Sequence, residues 1–295
     1  MKFGAVFPTT EIGDDPAAIR DWAQAAEELG YESIVAFDHV LGAEHASRSP
    51  RLLGPYTELD PFHEPLTLFA YLAGVTEHIE LTTGVIVLPQ RQTTLVAKQA
   101  AEVDLLSGGR LRLGVGTGWN YVEYESLGVP FGDRGRRLDE QVELLRKLWR
   151  EPLLDFDGSF HRVDRAGLLP RPRRDIPIWF GAIAPVALER AVRLGDGLLF
   201  ATAPSVVKGL LERARERLDA LGRDPDGFGS EAFVDFSYGP ERWQSELKQW
   251  RECRGTHLTL RAMDVAVEVV GGKRVGYAGP QSYIDALRSF REEVG

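Results

Sequence analysis

The sequence predicts an α/β fold, a (β/α)8 TIM barrel with a hairpin insertion after its fourth βα unit. Three observations carry this reading. Short apolar runs alternate with amphipathic helical stretches, the alternation recurs eight times, and 295 residues suit one such barrel. Parallel neighbours need a crossover of about a dozen residues or more, and each helical stretch supplies one. An open doubly wound sheet uses the same buried parallel strands and is the main competitor. The chain, residues 1–295, reads as one domain around one large core.

Residues 2–7 (KFGAVF) form the first strand, and a polar turn leads into a helix with Pro16 in its first turn. Ile19, Trp22, Ala23, Ala26 and Leu29 share one face of that helix, and Gly30 can end it. Residues 33–37 are the second strand, 66–75 a helix, 79–88 the third strand, and 94–106 a helix stopped by Ser107-Gly108-Gly109. The fourth strand spans 111–115. A helix over 134–150 carries Leu138, Val142, Leu145 and Leu148 at helical spacing, with a charged opposite face. Residues 153–163 read as a hairpin turning at Asp157-Gly158, inserted before the proline-rich stretch 170–177. Strands resume at 178–180, 197–200, 232–236 and 257–260, each followed by a helix. Residues 204–255 suggest no functional role.

Composition narrows the function classes. The apolar runs are too short to span a bilayer, and Glu11, Asp14 and Asp15 follow the first strand too soon for a secretory leader. One cysteine, Cys253, permits no internal disulfide, which fits a reducing cytoplasm. A net charge of −9 opposes nucleic acid as a partner. The six histidines are scattered, without H-E-x-x-H or C-x-x-C, so no metal site is expected. His63-Glu64 precedes Pro65 and suits a helix start. The absence of G-x-S-x-G argues against a serine hydrolase.

A barrel of this kind holds its active site at the C-terminal ends of the strands. Four stretches stand there. Asp38-His39 follows the second strand, where either side chain could titrate or bond a cofactor, or Asp38 could cap a turn while His39 packs. Thr82-Thr83-Gly84-Val85 puts hydroxyls and a glycine in the third strand, marking a ligand's close approach or a bulge. Gly114-Val115-Gly116-Thr117-Gly118-Trp119-Asn120 is glycine-rich but spaced G-x-G-x-G, and its strand is the fourth, which disfavours a dinucleotide loop. Gly181-Ala182-Ile183-Ala184-Pro185 leads into a helix whose free N–H groups could take a phosphate, though many such turns bind nothing. A glycosidase would need two carboxylates across the mouth, for which Asp38 and Glu123 or Glu125 are candidates.

Taken in order, several segments together resemble the luciferase-like monooxygenase superfamily. They are residues 23–33, Asp38-His39, Thr83-Gly84-Val85, Leu106-Ser107-Gly108-Gly109-Arg110, Gly116-Thr117-Gly118-Trp119, Arg136-Arg137-Leu138-Asp139-Glu140, Phe156-Asp157-Gly158 and Pro177-Ile178-Trp179-Phe180-Gly181. The match covers roughly residues 1–200 and thins beyond, to His257-Leu258-Thr259-Leu260-Arg261. Within the superfamily the chain is most similar to the branch using coenzyme F420, a deazaflavin, and FMN-dependent members share much of the pattern.

The resemblance implies an oxidoreductase moving hydride between reduced F420 and a small organic substrate. Its alternatives are an FMN-dependent two-component monooxygenase and a barrel that binds a ligand or partner without catalysis. It implies a ring seated over a non-prolyl cis peptide joining Gly84 to Val85, near Asp38 and His39. His39 would be the catalytic proton donor or ring-orienting group. Thr83, Thr117 and Asn120 would bond the ring's polar edge or its ribityl chain, and Gly181 and Ala182 would meet the phosphate. A homodimer is also implied. Sugar-phosphate dehydrogenases of the F420 branch carry a tryptophan four residues after the matching histidine and a glutamate after the G-T-G run. Here Ala43 and Trp119 stand there, which argues against that substrate.

Overall fold

The computed structural model describes residues 1–265 and 267–295. The first half runs β1 (Lys2–Val6), α1 (Pro16–Glu28), β2 (Ser33–Ala36), α2 (Pro65–Val75), β3 (Glu80–Thr83), β4 (Ile86–Val87), α3 (Thr93–Leu106), β5 (Leu111–Gly116), α4 (Tyr121–Ser126) and α5 (Arg134–Arg150). An antiparallel ribbon follows, β6 (Leu154–Asp157) with β7 (Arg162–Ala166). The second half is β8 (Ile178–Gly181), α6 (Pro185–Leu194), β9 (Gly197–Phe200), α7 (Pro204–Ala220), β10 (Gly229–Asp235), α8 (Pro240–Glu252), β11 (His257–Arg261) and α9 (Pro280–Val294).

Among the described residues, eight parallel strands close into a barrel in the order β1, β2, β3, β5, β8, β9, β10, β11, with β11 pairing back onto β1. The Gly84–Val85 peptide is cis. It divides the third strand into β3 and its continuation β4, which pairs with the last residues of β5. Side chains cap the first two helices. Asp15 accepts from Ala17 N at the head of α1, and Glu64 from Thr67 N at the head of α2. Outward strand residues and inner helix faces form the main apolar core around Trp22, Phe69, Leu145, Trp250 and Phe290. No helix among the described residues is long and apolar enough to cross a membrane.

Alternate strand residues point inward and fill the barrel in layers. Trp179 lies in the bottom layer, where a Cβ on Gly229 would come within 1.9 Å of its ring. The Arg112 guanidinium sits 4.0 Å over that ring and donates to Glu231 at 2.8 Å and Glu80 at 2.7 Å. Thr259 also donates to Glu231. Val35, Leu199 and Phe233 close the interior above this ion pair, and Phe37 stacks on Phe233. Packing is dense below and gives way to open space at the mouth.

His257 belongs to the bottom layer, edge-on to Trp179. Burial, with Arg112, Lys2 and the N-terminal ammonium nearby, pushes its imidazole down to about 2. An unfolded histidine titrates near about 6.5. Below that pH the unfolded chain binds a proton that the folded chain refuses, so stability falls as pH drops. Between about pH 6.5 and about pH 5 this one group should remove about 2 kcal/mol. Urea unfolding at both pH values should show a shallower pH dependence for His257→Gln. Equal dependence in both proteins would contradict it.

Candidate active site

A cavity of about 290 Å³ opens at the C-terminal mouth of the barrel. The backbone of Gly84 and the side chain of Val85 line it, with Val87, Phe37, Tyr56 and Trp119, while Arg261 enters from the end of β11. Val35 packs directly beneath Gly84, where an added Cβ would lie 2.3 Å from it, so this position offers only backbone. Two long connections contribute to the wall. Pro55 and Tyr56 come from the segment between β2 and α2, and Val269 from the one between β11 and α9. Burial pushes the Tyr56 phenol up to about 12, so it stays neutral.

Three buried carboxylates fix the polar groups around this cavity. Asp38, with a fully buried side chain, accepts from Arg91 at 2.6 Å and from Val87 N at 2.8 Å, bolting the end of β2 to the third strand. Burial pushes its carboxyl up from the ordinary range, and Arg91 pulls against that shift. Glu123, on α4 and only 1% exposed, accepts from Val40 N at 2.5 Å and Leu41 N at 3.2 Å. Its other oxygen lies 3.0 Å from His39 Nδ1. A carboxylate only accepts, so Nδ1 carries the proton. Nε2 is then a lone pair on the neutral ring and an N–H on the charged one. Tyr56, Phe62 and Trp119 meet the imidazole edge-on and hold its plane. Asp235 takes the Arg261 Nε and Nη2 hydrogens at 2.7 and 2.9 Å.

The other sequence-predicted residues divide into two groups. Gly84 and Val85 line the cavity beside Asp38 and His39. Thr83 spends its hydroxyl on the Gly114 carbonyl, and the Thr117 carbonyl accepts from Tyr124. Asn120 caps α4: its oxygen accepts from Val122 N and its nitrogen donates to the Leu41 carbonyl. Neither Thr83 nor Asn120 keeps a side-chain group aimed at the cavity. Gly181 packs against Val85, and Ala182 is buried at the approach to α6.

Residues 1–258 match the family described as luciferase-like monooxygenase. The chain belongs to that family. An F420-dependent glucose-6-phosphate dehydrogenase of Nakamurella multipartita is 32% identical over 98% of this chain and 87% of its own length. Two solved structures share the barrel at low identity. A monooxygenase from Streptomyces bottropensis has a TM-score of 0.77 at 20% identity, covering 100% of this chain and 98% of its own. The coenzyme F420-dependent tetrahydromethanopterin reductase of Methanopyrus kandleri has a TM-score of 0.74 at 16% identity, covering 99% and 97%. This chain is thus an enzyme of the luciferase-like family, with its candidate site at the mouth of the shared barrel.

Sequence reasoning missed two groups in this luciferase-like site. Glu123 entered it only as one of several carboxylates for a glycosidase, because 84 positions separate it from His39. Arg261 lay in the thin end of the resemblance. Its signal was an arginine ending an otherwise buried strand, a place that requires a carboxylate partner nearby.

Glu123→Ala would leave the Val40 and Leu41 N–H groups and His39 Nδ1 without an acceptor. An unmet donor costs about 1 to 3 kcal/mol when buried and less where water reaches it, as at Val40 and Leu41, so urea unfolding should show a loss of about 2 kcal/mol. A loss below about 1 kcal/mol would contradict the role given to this carboxylate.

Proposed function

We propose that this enzyme moves hydride between reduced coenzyme F420 and a small organic substrate at the barrel mouth. The observation that carries the reading is His39, fixed by Glu123 at Nδ1, beside a floor of Gly84 backbone and the Val85 side chain. A planar tricyclic ring needs an apolar seat with few projecting side chains, and this floor fits one. The relatives named as F420-dependent dehydrogenases support the deazaflavin over FMN.

When bound, the reduced deazaflavin supplies a hydride, and it lacks the N5 through which flavins activate oxygen. Gly84 and Val85 would seat the ring, and Asp38 would hold the strand ends that frame it. With the side chains of Thr83 and Asn120 engaged elsewhere, their part is to shape the seat. Backbone groups near Thr117 would meet the polar edge. Gly181 and Ala182 lie just before the N-terminus of α6, whose cap residue Ala184 makes no side-chain hydrogen bond, and this end would receive the phosphate. His39 Nε2 gives or takes the proton that accompanies hydride transfer. We extend the proposal to one domain over residues 1–295, acting as a cytoplasmic homodimer. The pairing of the first and last barrel strands supports the first point, and the exposed Leu95 and Leu106 of α3 offer apolar surface for the dimer.

Titration of the purified protein with F420, FMN and FAD should show F420 bound at least about tenfold more tightly than the others. Tighter binding of FMN would favour the monooxygenase reading, and no binding below about 1 mM would end both. His39→Asn should lower kcat by about 100-fold while F420 affinity changes less than about threefold. Unchanged kcat would remove His39 from the chemistry.

A further inference from the structure

The charges around the mouth point to the class of substrate, given the oxidoreductase reading above. The polar side chains lining the cavity are Asp38, His39, Tyr56, Trp119 and Arg261. Each charged one already faces an opposite partner. Arg261 is clasped by Asp235 through two hydrogen bonds, and Asp38 is paired with Arg91, which Glu64 also engages at 3.0 Å. His39 rests on Glu123. Among the described residues lining the cavity, no cation lacks a carboxylate.

A phosphate or carboxylate entering this space would be desolvated among Asp38, Glu123 and Asp235. Anion sites use clustered, uncompensated arginines or lysines, because burying an unpaired anion is costly. A neutral oxygen avoids that cost. Arg261 leaves Nη1 outside its clasp with Asp235, and the clasp holds the guanidinium plane in place as a preorganised donor. His39 Nε2 likewise stays outside the contact with Glu123, which uses Nδ1. Elsewhere the wall is Phe37, Val85, Val87, Ala201 and Val269, which suits an apolar body.

We infer that the enzyme takes an uncharged small ketone or secondary alcohol, its oxygen held between His39 Nε2 and Arg261 Nη1, and excludes phosphorylated and carboxylated substrates. In the reducing direction the carbonyl carbon gains the hydride and the oxygen gains the proton from His39, so C=O becomes CH–OH. The reduced deazaflavin loses that hydride and one proton, and the proton restores His39. Arg261 is the specificity residue, and Asp235 sets its effective charge.

The test uses protein loaded with oxidised F420 and titrated calorimetrically with cyclohexanone, cyclohexanecarboxylate and glucose 6-phosphate. Cyclohexanone should bind at least about tenfold more tightly than either anion, and glucose 6-phosphate should not bleach the F420 absorbance. Asp235→Asn frees the Arg261 charge and should tighten cyclohexanecarboxylate about tenfold, with cyclohexanone changed less than about threefold. Arg261→Gln should weaken cyclohexanone about tenfold, and it carries the test if the first variant does not fold. An anion bound more tightly than the ketone, or no binding of cyclohexanone by F420-loaded protein, overturns the inference. So does an unchanged selectivity ratio in the folded variants. Failure to load F420 at all would instead overturn the oxidoreductase reading.

Discussion

Closure of the parallel sheet is the constraint on which everything else rests. Once β1 pairs with β11, the eight described barrel strands form a closed ring and their inward residues must share one tapering interior. Its lower part is solved by size: Trp179 fills the space that Gly197 and Gly229 vacate. The next layer is solved by charge, because an arginine inside a barrel must meet a carboxylate, and Glu231 supplies it. At the top, Gly84, Gly118 and Ala201 contribute little or no side chain, so the interior ends in a cavity.

Around that cavity the same physical device appears three times. Asp38, Glu123 and Asp235 come from different elements, each is buried, and each gathers donors belonging to a neighbouring strand end or loop. The result is a rigid mouth in which few polar atoms remain unengaged. His39 Nε2 is one and Arg261 Nη1 is another. Trp119 stands where sugar-phosphate dehydrogenases of the F420 branch are expected to carry an acid, and its indole packs on His39. A carboxylate still reaches His39, from Glu123 one turn further on, and orients the ring from the side away from the cavity.

Most of the barrel is legible in the sequence because strands buried on both faces read as apolar runs, and helices between them carry one apolar stripe. The exceptions have identifiable causes. Residues 79–88 read as one strand, but the chain breaks at Gly84–Val85 and turns at Leu88–Gln90. The reading of 232–236 starts late, since Gly229 and Glu231, which point into the barrel, and Ser230 between them are small or polar, and it runs past Asp235 into the turn Phe236–Tyr238. Helix α4 is too short to show a period, and Asn120 reads as a cofactor ligand where it is the cap of that helix. At the site, Asp38, His39, Gly84 and Val85 are legible because they follow strands directly. Glu123 and Arg261 depend on contacts between distant segments, which no local pattern encodes.

The mouth, with its Gly84–Val85 floor and its fixed His39, is the proposed seat of a deazaflavin ring. A crystal structure of the F420 complex tests it most directly. The ring should lie on Val85 within van der Waals contact, about 3.5 to 4 Å, with His39 Nε2 facing its reactive edge. A ring bound outside the barrel mouth, or one that leaves His39 without contact to ring or substrate, would contradict it.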